Sequence, residues 1–452
     1  MLYSFSRLAR SAAVAILPTL IMAPLHAAPA AARTAPVLAT PAQIEAEKIL
    51  LQLIQDPEVK AIKAAIKADL AGTRIGQTPD GAARIDYAVD EWTNSLIFKE
   101  LVVRRGTPTI LWSTDDTPRT WLGYTLPGVG TSGDNPDFIY RSAEIAGGNR
   151  YEISGQFDKT DRPAQFVLSV SGVQTAQTPL AKNKADLGNL LALLTDRDLK
   201  VKPDGSFRIT FGTPGPDDSP NHIVTGTGPI SVLFRDALSD WKQRPTRLSI
   251  RRLESGTVIP VDTADVRSRV LANLRPYISQ WSRYPEQWFG GLQPNAITIP
   301  SPRDGGWGFF AGLRFQLKPD EAILVTTNRA GAAYAGIQVV DPWMIASDAS
   351  KYQTSINLAQ VKPNADGNYS YVIAPRDPGV ANWLDSTGLH DGYAVLRWQV
   401  LPATTKGEDM LRDFRVIKLS EAAKIPGIAL ITPGQRQAAL AARAQGYANR
   451  TR

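Results

Sequence analysis

Apolar residues recur along this 452-residue chain at two different periods, and the change from one to the other divides it. Over residues 41–70, Ile44, Ile49, Leu50, Leu53, Ile54, Val59, Ile62 and Ile66 follow helical spacing, with Pro57 placed to interrupt the helix. A second stripe of Ile85, Val89, Trp92, Leu96, Ile97 and Leu101 predicts a helix over about 81–104. From Thr107 the texture changes to short runs rich in β-branched and aromatic residues, bounded by Gly, Pro, Asp or Asn. These runs predict strands at 109–113, 138–145, 151–157, 166–171, 207–211 and 230–234, with a helical insertion at about 184–194.

A longer helical region covers about 263–288, carrying Val266, Val270, Leu274, Tyr277, Ile278, Trp281 and Tyr284. Asp262 or Thr263 suits its cap, and Pro276 and Pro285 are placed to kink or divide it. A second strand series is expected at 307–317, 322–327, 334–340, 369–373, 392–400 and 414–418. Thr432–Tyr447 reads as a terminal amphipathic helix, capped by Thr432 with Pro433 in the first turn.

The predicted class is α+β, mainly β: two antiparallel β-sandwich-like modules with N-terminal, connecting and C-terminal helices. The expected boundaries are a signal peptide at 1–27, a flexible Ala/Pro-rich tether at 28–41 and a helical N-terminal segment at 42–106. A first β-rich module at 107–261, a helical connector at 262–290, a second β-rich module at 291–420 and a C-terminal helical tail at 421–452 complete the order.

The leader assignment rests on three consecutive textures. Arg7 to Arg10 are basic, Ser11 to Pro24 are mostly apolar, and small residues follow to Ala27 and Ala30. This is the pattern of a secretory signal cleaved near Ala27 or Ala30, and it predicts a periplasmic or secreted protein. The apolar run falls short of the ~20 residues needed to span a bilayer. No stable membrane span is expected after processing.

Composition narrows the chemistry. The chain has no Cys, which excludes disulfides, thiolate nucleophiles and Cys-ligated zinc or iron–sulfur centres. Net charge is +7, and loss of a leader carrying Arg7 and Arg10 leaves about +5. Positive and negative residues are interleaved, so no nucleic-acid partner is expected. Two of the three His, His222 and His390, lie beyond the leader, too few for a multi-histidine metal site. No metal and no cofactor are expected. The glycine-rich run 303–310 lacks the phosphate-loop and dinucleotide fingerprints, and the chain has no Gly-x-Ser-x-Gly elbow.

Three loop clusters are candidate sites, since loops on a rigid sheet carry most binding groups. In the first, Asn382 and Trp383 are candidate ligand contacts, and Asp385, His390, Asp391 and Arg397 are candidate catalytic groups. His390 beside a carboxylate suits a general base near neutral pH. The plainer reading is that these Asn and Asp side chains hold turns. The second cluster is Asp134, Asn135 and Asp137 with Tyr140, two carboxyls and a phenol beside an Asn-Pro turn. The third is Arg303 and Trp307 in a glycine-rich run, where backbone could approach a ligand closely. Arg235, Asp240 and Trp241 read as an ion pair and packing anchor.

Several segments together resemble bacterial proteins carrying the domain of unknown function DUF1214. They are Asp134-Asn135-Pro136-Asp137 with Tyr140 and the strand Tyr151–Gly155, and Arg235 with Asp240-Trp241. The densest comprises Glu321-Ala322, Tyr334 to Gln338, Trp343 and Thr354 to Asn357, then Asp366-Gly367 and Asp377 to Asp385 with Gly388, Gly392, Arg397 and Trp398. The resemblance covers roughly Leu111 to Tyr447 and implies a β-rich fold without a settled activity.

Two functions are therefore expected. One is an exported protein binding a polar small molecule, carbohydrate-like or aromatic, in a loop-lined site at the rim of the C-terminal β module. The other is an extracytoplasmic hydrolase or lyase using a carboxylate/His pair. Export is directly checkable: periplasmic protein expressed with its full N-terminus should give an intact mass beginning at Ala28 or Ala31. A chain that keeps residues 1–30 and stays in the cytoplasm would contradict the leader assignment.

Overall fold

The computed structural model describes residues 36–103, 107–173, 190–213, 221–255, 259–303 and 305–451. The expected leader, the tether up to Ala35, the helix end at Arg104, residues 184–189 of the expected insertion, and Asp304 lie outside them. Three helices come first: α1 (Pro41–Leu53), α2 (Pro57–Ala71) and α3 (Pro79–Val102). Each starts with Pro behind a capping side chain, so the ring removes an amide that has no helical partner anyway. Thr40 Oγ1 accepts from the Gln43 amide, Asp56 Oδ1 from Glu58 and Val59, and Thr78 Oγ1 from Gly81. The end of the expected tether is packed rather than free: Leu38 is buried against Trp112 and Trp241.

Eleven strands follow. They are β1 (Leu111–Thr114), β2 (Arg119–Trp121), β3 (Tyr124–Leu126), β4 (Phe138–Ala146), β5 (Tyr151–Gln156) and β6 (Gln165–Gly172). β7 (Leu190–Thr195), β8 (Ser206–Gly212), β9 (His222–Val224), β10 (Pro229–Ala237) and β11 (Arg247–Arg252) complete the module. One sheet runs β1-β4-β10-β6-β7 and faces another, β11-β5-β8-β9. Between them Ile145, Ile153, Phe166, Leu168, Phe207, Phe211, Val232 and Phe234 form a packed core.

α4 (Thr263–Ser282) and α5 (Tyr284–Phe289) connect the modules. Pro276 is carried inside α4 and does not divide it. The break falls at Arg283, immediately before α5, whose first turn contains Pro285. Packing of Val270, Leu274, Tyr277 and Ile278 against α3 holds α4 together across the missing donor of Pro276.

The second module contains β12 (Ala296–Ile297), β13 (Ser301–Pro302), β14 (Gly308–Gln316), β15 (Glu321–Thr327) and β16 (Tyr334–Val340). β17 (Ser355–Asn357), β18 (Tyr369–Ala374), β19 (Trp383–Asp385), β20 (Asp391–Gln399) and β21 (Leu411–Lys418) follow. One sheet runs β12-β14-β20-β16-β17 with β13 beside β14, and the other runs β19-β18-β15-β21. α6 (Pro433–Tyr447) ends the fold with a complete capping box between Thr432 and Gln435.

The α+β, mainly β class is the one expected from the sequence, with three differences of detail. Leu190–Thr195, which overlaps the end of the expected helical insertion, is a strand paired edge-on with β6. Its short apolar run has no helical period of its own, and pairing decides its form. Two edge pairs, β8–β9 and β18–β19, are parallel, so the sandwiches are not wholly antiparallel. In the connector the expected division falls after Ser282, ahead of Pro285, and not at Pro276. Among the described residues no helix is long and apolar enough to cross a membrane.

A buried carboxylate ties the modules together. Asp137 Oδ1 accepts from Trp241 Nε1 at 2.7 Å and from Asn357 Nδ2 at 2.8 Å. Its Oδ2 accepts from the Tyr334 hydroxyl at 2.8 Å, and that oxygen accepts from Asn135 Nδ2 at 2.6 Å. Trp241 belongs to the first module; Tyr334 and Asn357 belong to the second. Asp137→Ala should lower unfolding stability by about 3–5 kcal/mol, because it strands three buried donors. Asp137→Asn should cost less. Urea unfolding measures both, and an Asp137→Ala loss below about 1 kcal/mol would contradict the role.

Candidate functional site

Side chains alternate across a strand, so a sheet that buries one face presents the other. On β10, Ile230, Val232 and Phe234 enter the sandwich core, while Ser231, Leu233 and Arg235 point away. Register places Arg235 opposite Tyr140, Leu233 opposite Ser142 and Ser231 opposite Glu144 on β4. On the other side, Leu233 pairs with Ser169 and Ser231 with Ser171 of β6. The outer face is thus rich in hydroxyls. Alone it would be wetted. Here Ser95 and Lys99 of α3 and Tyr277, Gln280 and Trp281 of α4 stand over it. The space left between roof and sheet is about 310 Å³.

This space meets a smaller one of about 110 Å³, and both are lined by Ser132, Asp134, Tyr140, Arg235 and Tyr284. The second module closes the smaller space with Arg397 of β20 and with Arg303 and Trp307 ahead of β14. Arg397 is held by neutral acceptors: Nη2 donates to the Gly133 carbonyl at 2.6 Å and Nη1 to Gln338 Oε1 at 3.1 Å. Gln338 Nε2 clamps the same loop through the carbonyls of Gly133 and Asp134, each at 3.0 Å. Arg235 Nη1 donates to Ser169 Oγ at 3.0 Å. The Arg303 and Arg235 guanidiniums lie 4.1 and 5.4 Å from the Trp307 ring centre.

Arg303 Nε is closed off from solvent and meets no hydrogen-bond acceptor. Burial, followed by repulsion from Arg397 and Arg235, pulls the Arg303 guanidinium down to about 9. The one carboxylate lining this smaller space among the described residues is Asp134. Its Oδ2 accepts from the Thr131 amide at 2.6 Å, the Thr131 hydroxyl at 2.8 Å and the Ser132 amide at 3.3 Å. Burial raises the Asp134 pKa, while these bonds and Arg397 act against the rise.

The structure therefore joins pieces of all three sequence clusters: Asp134 and Tyr140, Arg303 and Trp307, and Arg397. It separates the rest. Asn382 is 2% exposed and stitches a loop, accepting from the Lys362 amide and donating to the Lys362 and Ser370 carbonyls. Trp383 is buried, donates to the Ala374 carbonyl and lies 5.1 Å from the Arg436 guanidinium. Asp385 Oδ1 accepts from the Thr387 amide. The backbone amides of His390 and Asp391 donate to Asp80 Oδ2.

Asp391 and Arg397 share one strand and one face but lie six residues apart, roughly 20 Å. Arg397 therefore stands apart from Asp391 and lines the cavity, which Asp385, His390 and Asp391 do not. Asn135 and Asp137 belong to the inter-module joint. Asp240 accepts from the Lys242 amide, Trp241 is buried as a packing anchor, and Arg235 turns into the cavity. Arg235 and the serine face are the residues that sequence reasoning missed. The alternation of polar and apolar residues along 229–237 is the signal that carries them.

Behind the Asp134 loop lie two facing carboxyls, Glu91 of α3 and Asp116. A Cβ at Gly130 would stand 2.5 Å from Asp116 Oδ1 and 3.2 Å from Glu91 Oε2, so glycine is required there. Neither of those oxygens has a hydrogen-bond donor. Burial pushes both carboxyls well up, with Asp116 adding to the rise of Glu91 and Asp134 to that of Asp116.

No family model matches the chain, and no curated protein does. Among solved structures, the chain is similar to an uncharacterized protein from Burkholderia cenocepacia at 19% identity and a TM-score of 0.65. That likeness covers 82% of this chain and 99% of the other, and it is one of fold. A protein from Vibrio parahaemolyticus matches at 11% identity over 74% of this chain and 99% of that one, with a TM-score of 0.38.

The Glu91–Asp116 pair gives the fold a pH dependence of defined sign. With the folded pKa raised, the native state keeps protons that the unfolded chain releases above its ordinary carboxyl range. Stability contributed by this pair therefore falls as pH rises through that window. Glu91→Gln keeps the shape and cannot titrate. The urea midpoint of this variant should drop less between pH 5 and pH 8 than that of the parent. An unchanged pH slope would contradict the assignment.

Proposed function

We propose that this chain is an exported binding protein holding a polar small molecule in the cavity between its first β module and the helices α3 and α4, which reaches the second module through the smaller space. The observation that carries the reading is the roofing of the outer face of β4, β10 and β6. A surface carrying four serines lies under α3 and α4, leaving a space of about 310 Å³, a volume typical of small-ligand sites. Trp307 and Tyr140 add aromatic surface, and Arg303, Arg397 and Asp134 add fixed polar groups. A carbohydrate-like or aromatic ligand suits that combination. The site so proposed moves from the rim of the C-terminal module to the roofed face of the first module, with Arg303, Trp307 and Arg397 at the end nearest the second.

Binding is preferred over a hydrolase or lyase because Asp385, His390 and Asp391 do not line this cavity. The basic, apolar and small-residue segments of Arg7–Ala30 support a periplasmic or secreted location. The run Asp377–Trp398 supports kinship with DUF1214 proteins.

Thermal-shift screening of the mature chain against neutral sugars, sugar acids and aromatic acids tests the reading. At least one class should stabilise the protein, by about 2.7 kcal/mol at a hundredfold excess over Kd. Ser231→Phe, which fills the larger space, should abolish that stabilisation. Stabilisation that persists in Ser231→Phe would move the site elsewhere.

A further inference from the structure

Arg303 and Arg397 line the smaller space, and Asp134 is the one carboxylate in its lining among the described residues. Asp134 Oδ2 is committed to Thr131 and Ser132, and Arg397 is held by a carbonyl and a carboxamide. Arg303 Nε is shielded from water with no acceptor. A buried donor in that state is costly unless an acceptor completes it.

Three features select the acceptor. A planar guanidinium fork matches the two oxygens of a carboxylate. Asp134 sits in the same space and opposes a dianion such as a phosphate monoester more strongly than a monoanion. The adjoining space of about 310 Å³ is walled by Ser142, Ser169, Ser171 and Ser231. Each hydroxyl can both donate and accept, and Leu233, Tyr277 and Trp281 add apolar surface, a combination that fits the hydroxyls and the apolar ring face of a sugar.

We infer that the ligand is a hydroxylated carboxylate of the sugar-acid class, its carboxylate on Arg303 and Arg397 and its hydroxyls along the serine wall. This inference rests on the cavity-binding reading and goes further by naming the ligand's charge and chemistry.

Isothermal titration calorimetry on the mature chain tests it, with D-glucuronate, D-galacturonate and D-gluconate as sugar acids. D-glucose, glucose 6-phosphate and benzoate are the comparison ligands. At least one sugar acid should bind tenfold or more tighter than glucose, and tighter than benzoate or glucose 6-phosphate. Arg303→Gln should weaken that sugar acid by about 10–100-fold, the effect of losing a charge-assisted hydrogen bond. Arg397→Gln provides a second variant if Arg303→Gln fails to keep the parent's circular dichroism spectrum.

Glucose, benzoate or glucose 6-phosphate binding more tightly than every sugar acid would overturn the inference. Sugar-acid affinity unchanged in both arginine variants would do the same. A neutral or aromatic ligand that binds and is blocked by Ser231→Phe would remove the sugar-acid inference and leave the cavity-binding reading intact. Ligands that bind the parent and Ser231→Phe equally, or no binding by any ligand, would remove both.

Discussion

The constraint on which this structure turns is the two-faced nature of a β-sheet. A sandwich buries one face of each sheet and must leave the other to water or cover it. In the first module the uncovered face of β4, β10 and β6 is polar, and α3 and α4 are drawn across it. In the second module the outward face of β14, β20 and β16 receives α5, through Phe289 stacked on Tyr393 at 4.8 Å. Gly312 permits that approach, since a Cβ there would stand 2.1 Å from Phe289 Cε1. One helical layer therefore serves two sheets. The apolar face closes tightly, whereas the serine-rich face cannot, and the mismatch is the cavity.

The loop from Thr131 to Asp137 couples this cavity to the integrity of the fold. Asp134 turns toward the cavity, and Asp137, three residues on, joins the modules through Trp241, Tyr334 and Asn357. Gln338 and Arg397 of the second module grip the loop between them. The position of Arg397 is thus set by contacts that also align the two sandwiches. Arg303 differs: it stands on the approach to β14, and its Nε has no partner among the described residues. A preorganised arginine beside an unsatisfied one is the arrangement in which binding energy is available to a ligand.

Much of the fold was readable from periodicity. The helices at 41–71, 79–102, 263–289 and 433–447 and the principal strands follow patterns that burial alone enforces. The strand at 190–195 was not readable, because an unpatterned leucine run takes its form from the edge it pairs with. The site was legible in pieces. Asp134 with Tyr140, Arg303 with Trp307, and Arg397 each carried suitable chemistry, and register between distant strands is what assembles them. Arg397 stands apart from Asp391 for the complementary reason. Closeness in sequence along an extended strand becomes distance in space. Turn-forming Asn382 and Asp385 looked chemical because the same side chains that bind ligands also satisfy loop amides.

A crystal structure of the mature protein grown with the tightest-binding sugar acid addresses the central claim most directly. The account predicts ligand density across the two joined spaces, with the carboxylate within hydrogen-bond distance of Arg303 and Arg397 and hydroxyls facing Ser169 and Ser231. An empty cavity, with Arg303 folded onto an acidic side chain of the protein itself, would contradict it.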